Sequence, residues 1–263
     1  MKKYWQIFSI SWQNGFVYPV SVLFWRLRQF LLTFMSLTIW TVIFTGHQQA
    51  FGYTQKDMIA YVFLVGFLQS VILATVLTNL GSDIYTGQIS NTLLKPINLF
   101  ATLAAQDIAD KLKNFGFIIV ETVILFLIFK PSIVFPPLTT LLIFIFSALL
   151  GAVLLFSIML LFGTLGFWTP DTWAPRFLFY MFIDFTAGKL YPLNIFPPLL
   201  QKILFLTPFP YLSYIQTQIF IGKYTLMETA QNIFILIAWI VTILFLFRFF
   251  WERGLKEYGA LGR

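Results

Sequence analysis

The sequence predicts an all-α integral membrane protein with six transmembrane helices, an N-terminal interfacial helix, and a re-entrant outer hairpin between the fifth and sixth spans. Three observations lead there. Hydrophobic residues make up 59% of the 263 and charged residues only 10%, well past the apolar share of a soluble domain. The apolar residues are gathered into long runs, and hydrocarbon about 30 Å thick needs roughly 20 such residues per helix. One run is then broken by charge, glycine and proline in "DFTAGKLYPLNIFPP", residues 184–198. Five or six spans with short loops fill this length, so residues 1–263 read as one transmembrane domain.

Residues 1–20 read as a helix lying in the membrane interface. Trp5, Phe8, Trp12 and Phe16 recur at spacings of three and four, with Lys2, Lys3, Gln6 and Gln13 mostly elsewhere. The first span covers 23–45, with Arg26 and Arg28 able to snorkel at its start. "GHQQAFGYTQ" is a short polar loop, and the second span covers 57–80. Residues 81–113 form a long inner connection that holds most of the polar residues of this half. Gly87 supplies a turn and Pro96 a stop. The following "NLFATLAAQDIADKLKN" is amphipathic with acids before bases, as suits a helix lying along the inner surface. Such a connection either docks a cytosolic protein or is simply solvated.

The third span covers 114–129 and the fourth 138–167. The fourth is about 45 Å long at 1.5 Å per residue, so it tilts, bends near Gly151 or projects beyond the hydrocarbon. After the turn "WTPDTWAPR", a fifth span opens at Phe177, but Pro175 to Gly188 gives only about 21 Å of helix. Residues 189–222 hold Pro192, Pro197, Pro198, Pro208 and Pro210, too many for one helix. They read as two short helices around "NIFPPLLQKILF" and "PYLSYIQTQIFIG". Irregular backbone at membrane depth requires protein or water around it, which makes this segment a re-entrant hairpin over a pathway or a subunit contact. The alternative, an ordinary external loop with an amphipathic helix, leaves a large apolar surface in water. The last span covers 231–250 and leads to the basic tail "WERGLKEYGALGR".

With the N-terminus inside and six crossings, the inner side carries Lys2, Lys3, Arg26, Arg28, Lys95, Lys111, Lys113, Arg176, Arg248, Arg253, Lys256 and Arg263, twelve of the seventeen basic residues. This positive-inside bias places both termini in the cytoplasm. The same residues explain the net charge of +7 without nucleic acid, because they are scattered between apolar runs and form no continuous basic face. The first twenty residues interrupt their apolar positions with Gln, Asn and Gly, so no removable signal peptide is expected.

Catalytic chemistry finds little to stand on. The chain has no cysteine, and His47 alone cannot build a metal site. "TAGKL" and "IGKYT" lack the first glycine of a phosphate-binding loop, so the chain is not expected to hydrolyse ATP itself. A membrane-embedded lipid-modifying enzyme would need a cluster of acids and histidines that the sequence does not offer. The costliest residues to bury are Glu121, in the middle of the third span, and Asp184, in the outer half of the fifth. Glu121 either lines a polar pathway or joins helices as a protonated or hydrogen-bonded carboxyl. Asp184 has Lys189 nearby as an ion-pair partner. A proton-coupled secondary transporter using Glu121 and Asp184 is the alternative function; it should carry inverted repeats and broken helices in both halves, and only one broken span is visible.

The inner "TGQISNTLLKPIN", the outer "GKLYPLNIFPPLLQKILFLTPFPYLSYIQTQIFIGK" and the terminal "RGLKEYGALGR" resemble, in that order, the permease subunits of type-2 ATP-binding-cassette (ABC) exporters. The six-span subgroup is the nearest, through an outer glycine–proline–proline motif that here is Gly188, Pro192 and Pro197. Lys95 stands where the inner motif usually has arginine before its proline, Pro96. The resemblance implies a multi-pass permease of the bacterial cytoplasmic (inner) membrane. Two copies, identical or homologous, would surround a pathway and sit on separate ATPase subunits that carry the ATP and magnesium, with no cofactor in this chain. It implies that the N-terminal helix and the segment bearing Asp83, Tyr85, Gly87, Lys95 and Pro96 touch those subunits, with lipid as the remaining partner.

Overall fold

Almost the whole chain is helical, and the computed structural model describes residues 2–46, 49–131 and 133–260. His47 and the last three residues of the terminal motif lie outside the described set. Helix α1 (Lys2–Asn14) turns through 15–18 into α2 (Pro19–Ile43). Proline suits the opening turn of α2, where its missing N–H would have had no helical partner. Two short antiparallel strands follow, β1 (Gln49–Ala50) and β2 (Tyr53–Thr54), joined by Phe51 and Gly52 with φ of 57° and 78°. Positive φ at both central residues gives the turn hand that matches strand twist. Thr54 and Asp57 then form a reciprocal capping box that starts α3 (Gln55–Ile72).

Helix α3 stops at Ile72, not at residue 80 as the apolar run implied. A 3-10 turn at Leu77–Asn79 leads into two short helices, α4 (Leu80–Tyr85) and α5 (Ile89–Leu93). Asn98 caps the next helix, its side chain accepting from the Ala101 N–H at 3.0 Å, and that helix, α6, runs unbroken over Leu99–Phe129. Here the sequence reading is corrected: "NLFATLAAQDIADKLKN" is no separate surface helix but the first half of the third span. Nothing between Lys113 and Asn114 breaks a helix. The charges that seemed to demand an interface are paired along it, Asp107 with Lys111 at 2.8 Å and Asp110 with Lys113 at 2.5 Å.

The rest comprises α7 (Leu138–Gly163) with a 3-10 turn at Thr164–Phe167, α8 (Trp173–Thr186), α9 (Pro198–Phe205), α10 (Tyr214–Phe220) and α11 (Leu226–Ala260). The two helices expected around the prolines are α9 and α10. Among the described residues, α2, α3, α6, α7 with its turn, and α11 are long and apolar enough to cross a membrane. With 14 residues, α8 is about 21 Å long and is not one of these five.

Helix α3 is the centre of the bundle, packed by α2, α6, α7 and α10, while α11 lies along α7 and α1 along α6. Lipid tails are as apolar as leucine, so these contacts depend on shape and hydrogen bonds more than on the hydrophobic effect. The periodic aromatics of α1 illustrate the shape part. Trp5, Phe8, Trp12 and Phe16 stack in one ladder with centroids 5.2, 6.3 and 5.7 Å apart, ending on Phe117 of α6. The outward faces of α2, α6 and α11 are apolar and exposed, as lipid-facing surfaces are.

Candidate functional site

Three groups of residues carry polar or mechanical roles, one at each end of the bundle and one inside it. At the end of the bundle that holds α4, this helix is pressed onto the 164–167 turn with no room to spare. Gly81 and Gly166 meet backbone to backbone, and a Cβ on Gly166 would collide with the Gly81 carbonyl. A Cβ on Gly81 would lie 2.6 Å from the Thr172 methyl. The same turn holds the end of α11, where Phe167 packs edge-on against Trp251 at 5.3 Å and Tyr258 at 5.8 Å, and a side chain on Gly254 would strike the Phe167 ring. Ser90 of α5 and the Tyr258 hydroxyl share a hydrogen bond at 3.0 Å. The outcome is a plate of α4, α5, the 164–167 turn and the end of α11.

Most of the residues proposed to touch an ATPase sit on this plate. Asp83, Tyr85 and Gly87 are half-buried on or just after α4, and Gly87 takes φ of 79° to turn the chain into α5. Burial pushes the Asp83 carboxyl above the usual carboxylate range. Lys95 and Pro96 are exposed. They lie beside the start of α1, where Lys3 Nζ donates to the Pro96 carbonyl at 3.5 Å and the Asn98 N–H donates to the Tyr4 hydroxyl at 3.1 Å. The structure therefore brings the start of the N-terminal helix against residues 96–98, at the end of this segment.

Inside the bundle, Glu121 has a partner that the sequence did not reveal. Arg26 of α2, read above as snorkelling, is 7% exposed and points into the bundle. Its Nε donates to Glu121 Oε1 at 2.6 Å, and its Nη1 donates to Ser70 Oγ at 2.8 Å and Asn114 Oδ1 at 3.2 Å. The guanidinium also lies 5.7 Å from the Phe117 ring centre. Three spans, α2, α3 and α6, are joined through one cation. Two opposite charges in apolar spans were the available clue, but nothing in spacing assigns one to the other across 95 positions.

At the other end, Asp184 and Lys189 pair at 2.9 Å, as their spacing suggested. Gly188 has φ of 81°, and a Cβ there would strike the hydroxyl of Tyr61, which donates to the Gly188 carbonyl at 2.5 Å. Pro192 and Pro197 bracket a 3-10 turn, and Pro198 opens α9. Every residue of α10 is buried between α3 and α7, including its polar ones. Gln216 donates to the Tyr211 and Ser147 carbonyls at 2.7 and 3.2 Å, and Gln218 donates to the Tyr53 hydroxyl at 2.6 Å, which in turn donates to Asn194 at 3.1 Å. Gln69 of α3 donates to Ser213, whose own hydroxyl donates to the Ala187 carbonyl. Burial raises the Tyr53 hydroxyl above its ordinary value.

No group of three or more potential metal ligands occurs among the described residues. A bundle of long apolar helices, with polar groups used to join them and a closely packed plate at one end, defines a multi-pass membrane protein. The chain belongs to the ABC-2 transporter family: the family model described as "ABC-2 family transporter protein" matches residues 30–262. It is thus the membrane component, the permease, of an ABC transporter. No curated protein matches the chain.

Proposed function

We propose that the chain is the permease subunit of an ABC exporter, forming a translocation pathway as a homo- or heterodimer driven by separate ATPase subunits that bind ATP and magnesium. The observation that carries this reading is the inner plate, where Asp83 and Tyr85 ride on α4, Gly87 follows it, and α4 packs glycine to glycine on the 164–167 turn that also holds the end of α11. A ligand shifts an equilibrium only by binding the alternative states differently. A permease without a nucleotide site must therefore receive ATP energy through stiff contact, and glycine-to-glycine packing is stiff. The reading includes six crossings, with α8 as the fifth, both termini in the cytoplasm of a bacterial cell, and α9–α10 as a re-entrant outer hairpin. Burial of α10 and of its glutamines supports the hairpin over an external loop, because a loop in water has no need to bury three polar side chains.

Affinity purification from native membranes, followed by identification of co-purifying proteins, tests the reading. An ATPase subunit is expected, and Tyr85→Ala with Lys95→Ala should reduce its recovery while Lys256→Ala should not, since truncating central interface side chains costs more than removing rim charges. Recovery of the wild-type chain without any ATPase would refute the reading. An impermeant thiol reagent should leave a cysteine at Thr86 unlabelled from outside in this cysteine-free chain; labelling there would overturn the orientation.

A further inference from the structure

The plate and the bundle meet at residues 73–79, where α3 ends and regular structure stops before the 3-10 turn and α4. The local sequence "LATVLTN" contains neither proline nor glycine, so the break is imposed by the tertiary structure. Backbone between two helices leaves carbonyls with no helical donor, and in apolar surroundings each needs another partner. Two carbonyls of this half-buried connection accept from cations of other helices. Lys111 of α6 donates through Nζ to the Ala74 carbonyl at 2.6 Å, and Arg176 of α8 donates through Nη1 to the Thr78 carbonyl. Lys111 is held in place by Asp107, whose side chain is 4% exposed and whose Oδ1 has no hydrogen-bond partner among the described residues. The Thr75 hydroxyl accepts from the Leu77 N–H at 3.2 Å and starts the turn.

Helix α4, on the far side of the break, is packed on the end of α7 and on the 164–167 turn that continues it, whereas α3 is packed chiefly on α2 and α6. Any displacement of α4 and the end of α7 relative to α3 must be absorbed in the chain between α3 and α4. We propose that residues 73–79 are the joint through which the inner plate moves relative to α3, and that Lys111 and Arg176 are the positioning residues that set its geometry by capping the Ala74 and Thr78 carbonyls. Backbone held by two side chains changes conformation by exchanging those two caps, and the 3-10 turn adds one bond, from the Leu80 N–H to the Leu77 carbonyl. Asp107 keeps Lys111 within reach during that exchange.

The test uses nitroxide labels on cysteines placed at Thr86 and Lys56, both exposed, one on the plate and one at the outer start of α3. With the chain reconstituted in lipid discs, pulsed dipolar distances should show a single narrow population in the wild type and in Lys111→Arg, which keeps a donor. Arg176→Met and the charge-balanced pair Asp107→Asn with Lys111→Gln should lose that single population and show a broadened or split distribution. The balanced pair leaves no unpaired buried charge, so it decides the matter even where Arg176→Met fails to accumulate. Unchanged distributions in the balanced pair would overturn the proposal, as would equal broadening in Lys111→Arg, which would mean that lysine packing, not the cap, matters. A second arm adds the co-purified ATPase and ATP, which should shift the wild-type distance as one population and the balanced pair only in part. That arm alone rests on the permease reading. A chain that recruits no ATPase yet shows the expected cap dependence would sink that reading and leave the joint standing.

Discussion

Arg26 and Glu121 are equal partners in one bond, yet removing them should have unequal effects. Both side chains are nearly enclosed, at 8% and 12% exposure, and their bond is 2.6 Å. Breaking a buried ion pair by removing one partner usually costs about 3–5 kcal/mol, because a charge is left without compensation. A carboxyl can escape that penalty by taking up a proton; a guanidinium cannot. Glu121→Leu strands Arg26 with only Ser70 and Asn114 as acceptors, and should cost about 3–5 kcal/mol. Arg26→Leu strands a carboxyl that can become neutral, and forfeits the bonds to Ser70 and Asn114, for a cost of about 1–3 kcal/mol. The double variant should be no worse than Glu121→Leu and could approach wild type, since buried pairs replaced by apolar residues are often neutral.

The assay is unfolding of the purified chain in mixed detergent micelles, followed by helicity and run as a double-mutant cycle. Glu121→Leu should be the least stable of the four proteins, with a coupling of at least about 1 kcal/mol between the two positions. If Arg26→Leu proves as damaging as Glu121→Leu, the argument from proton uptake fails. If the two substitutions add without coupling, the bond itself contributes nothing.

Three further outcomes follow from the geometry. Gly166→Ala places a methyl group against the Gly81 carbonyl and should cost about 1–3 kcal/mol or more as overpacking, with faster thiol labelling at a cysteine replacing Thr86 as α4 lifts; unchanged labelling and melting would refute it. Tyr61→Phe leaves the buried Gly188 carbonyl without its 2.5 Å donor and should destabilise by about 1–3 kcal/mol, read as earlier proteolysis within residues 189–222. Because burial raises the Asp83 carboxyl, the folded chain holds that proton more tightly than the unfolded chain. Its contribution is therefore complete at low pH and lost as pH rises past the ordinary carboxylate value. Asp83→Asn should match wild type at low pH and be the more stable above that range; a difference that is the same at every pH would exclude this.

How far the sequence can be read depends on whether the cause of a feature is local. The aromatic spacing in α1 and the prolines that confine α9 and α10 act over a few positions, and the elements they specify are where the sequence puts them. The end of α3 has no local cause. "VILATVLTNL" continues the apolar run and has strong helix formers, and the break is stabilised by Lys111 and Arg176, which lie 37 and 98 positions from their acceptors. The start of α6 went astray for the opposite reason. Its charges gave a strong interfacial pattern, but they neutralise one another along the helix and need no water. The contacts of the inner plate were not legible, since close approach depends on which glycine faces which. Gly81 and Gly166 are meaningful as a pair and silent apart.

The pairing of charge also weighs between the two functions that the sequence left open. A proton-coupled transporter needs a carboxyl that exchanges its proton during the cycle while the rest of the site tolerates both states. Glu121 accepts from a guanidinium that has no means of losing its charge, so protonating Glu121 would leave Arg26 uncompensated between three helices. Asp184 is tied to Lys189 at the outer margin, beside the turn at Gly188 and far from Glu121 in the chain. Neither carboxyl stands ready for exchange, and no series of acids connects them among the described ion pairs. The inner plate, in contrast, has every property that a mechanical input requires: exposed contact residues at Lys95 and Pro96, glycine contacts that leave no play, and a capped break that separates it from α3. On the proposed reading, force applied at that surface reaches the spans through packing and through the capped joint, as suits a permease whose ATP is hydrolysed on another chain.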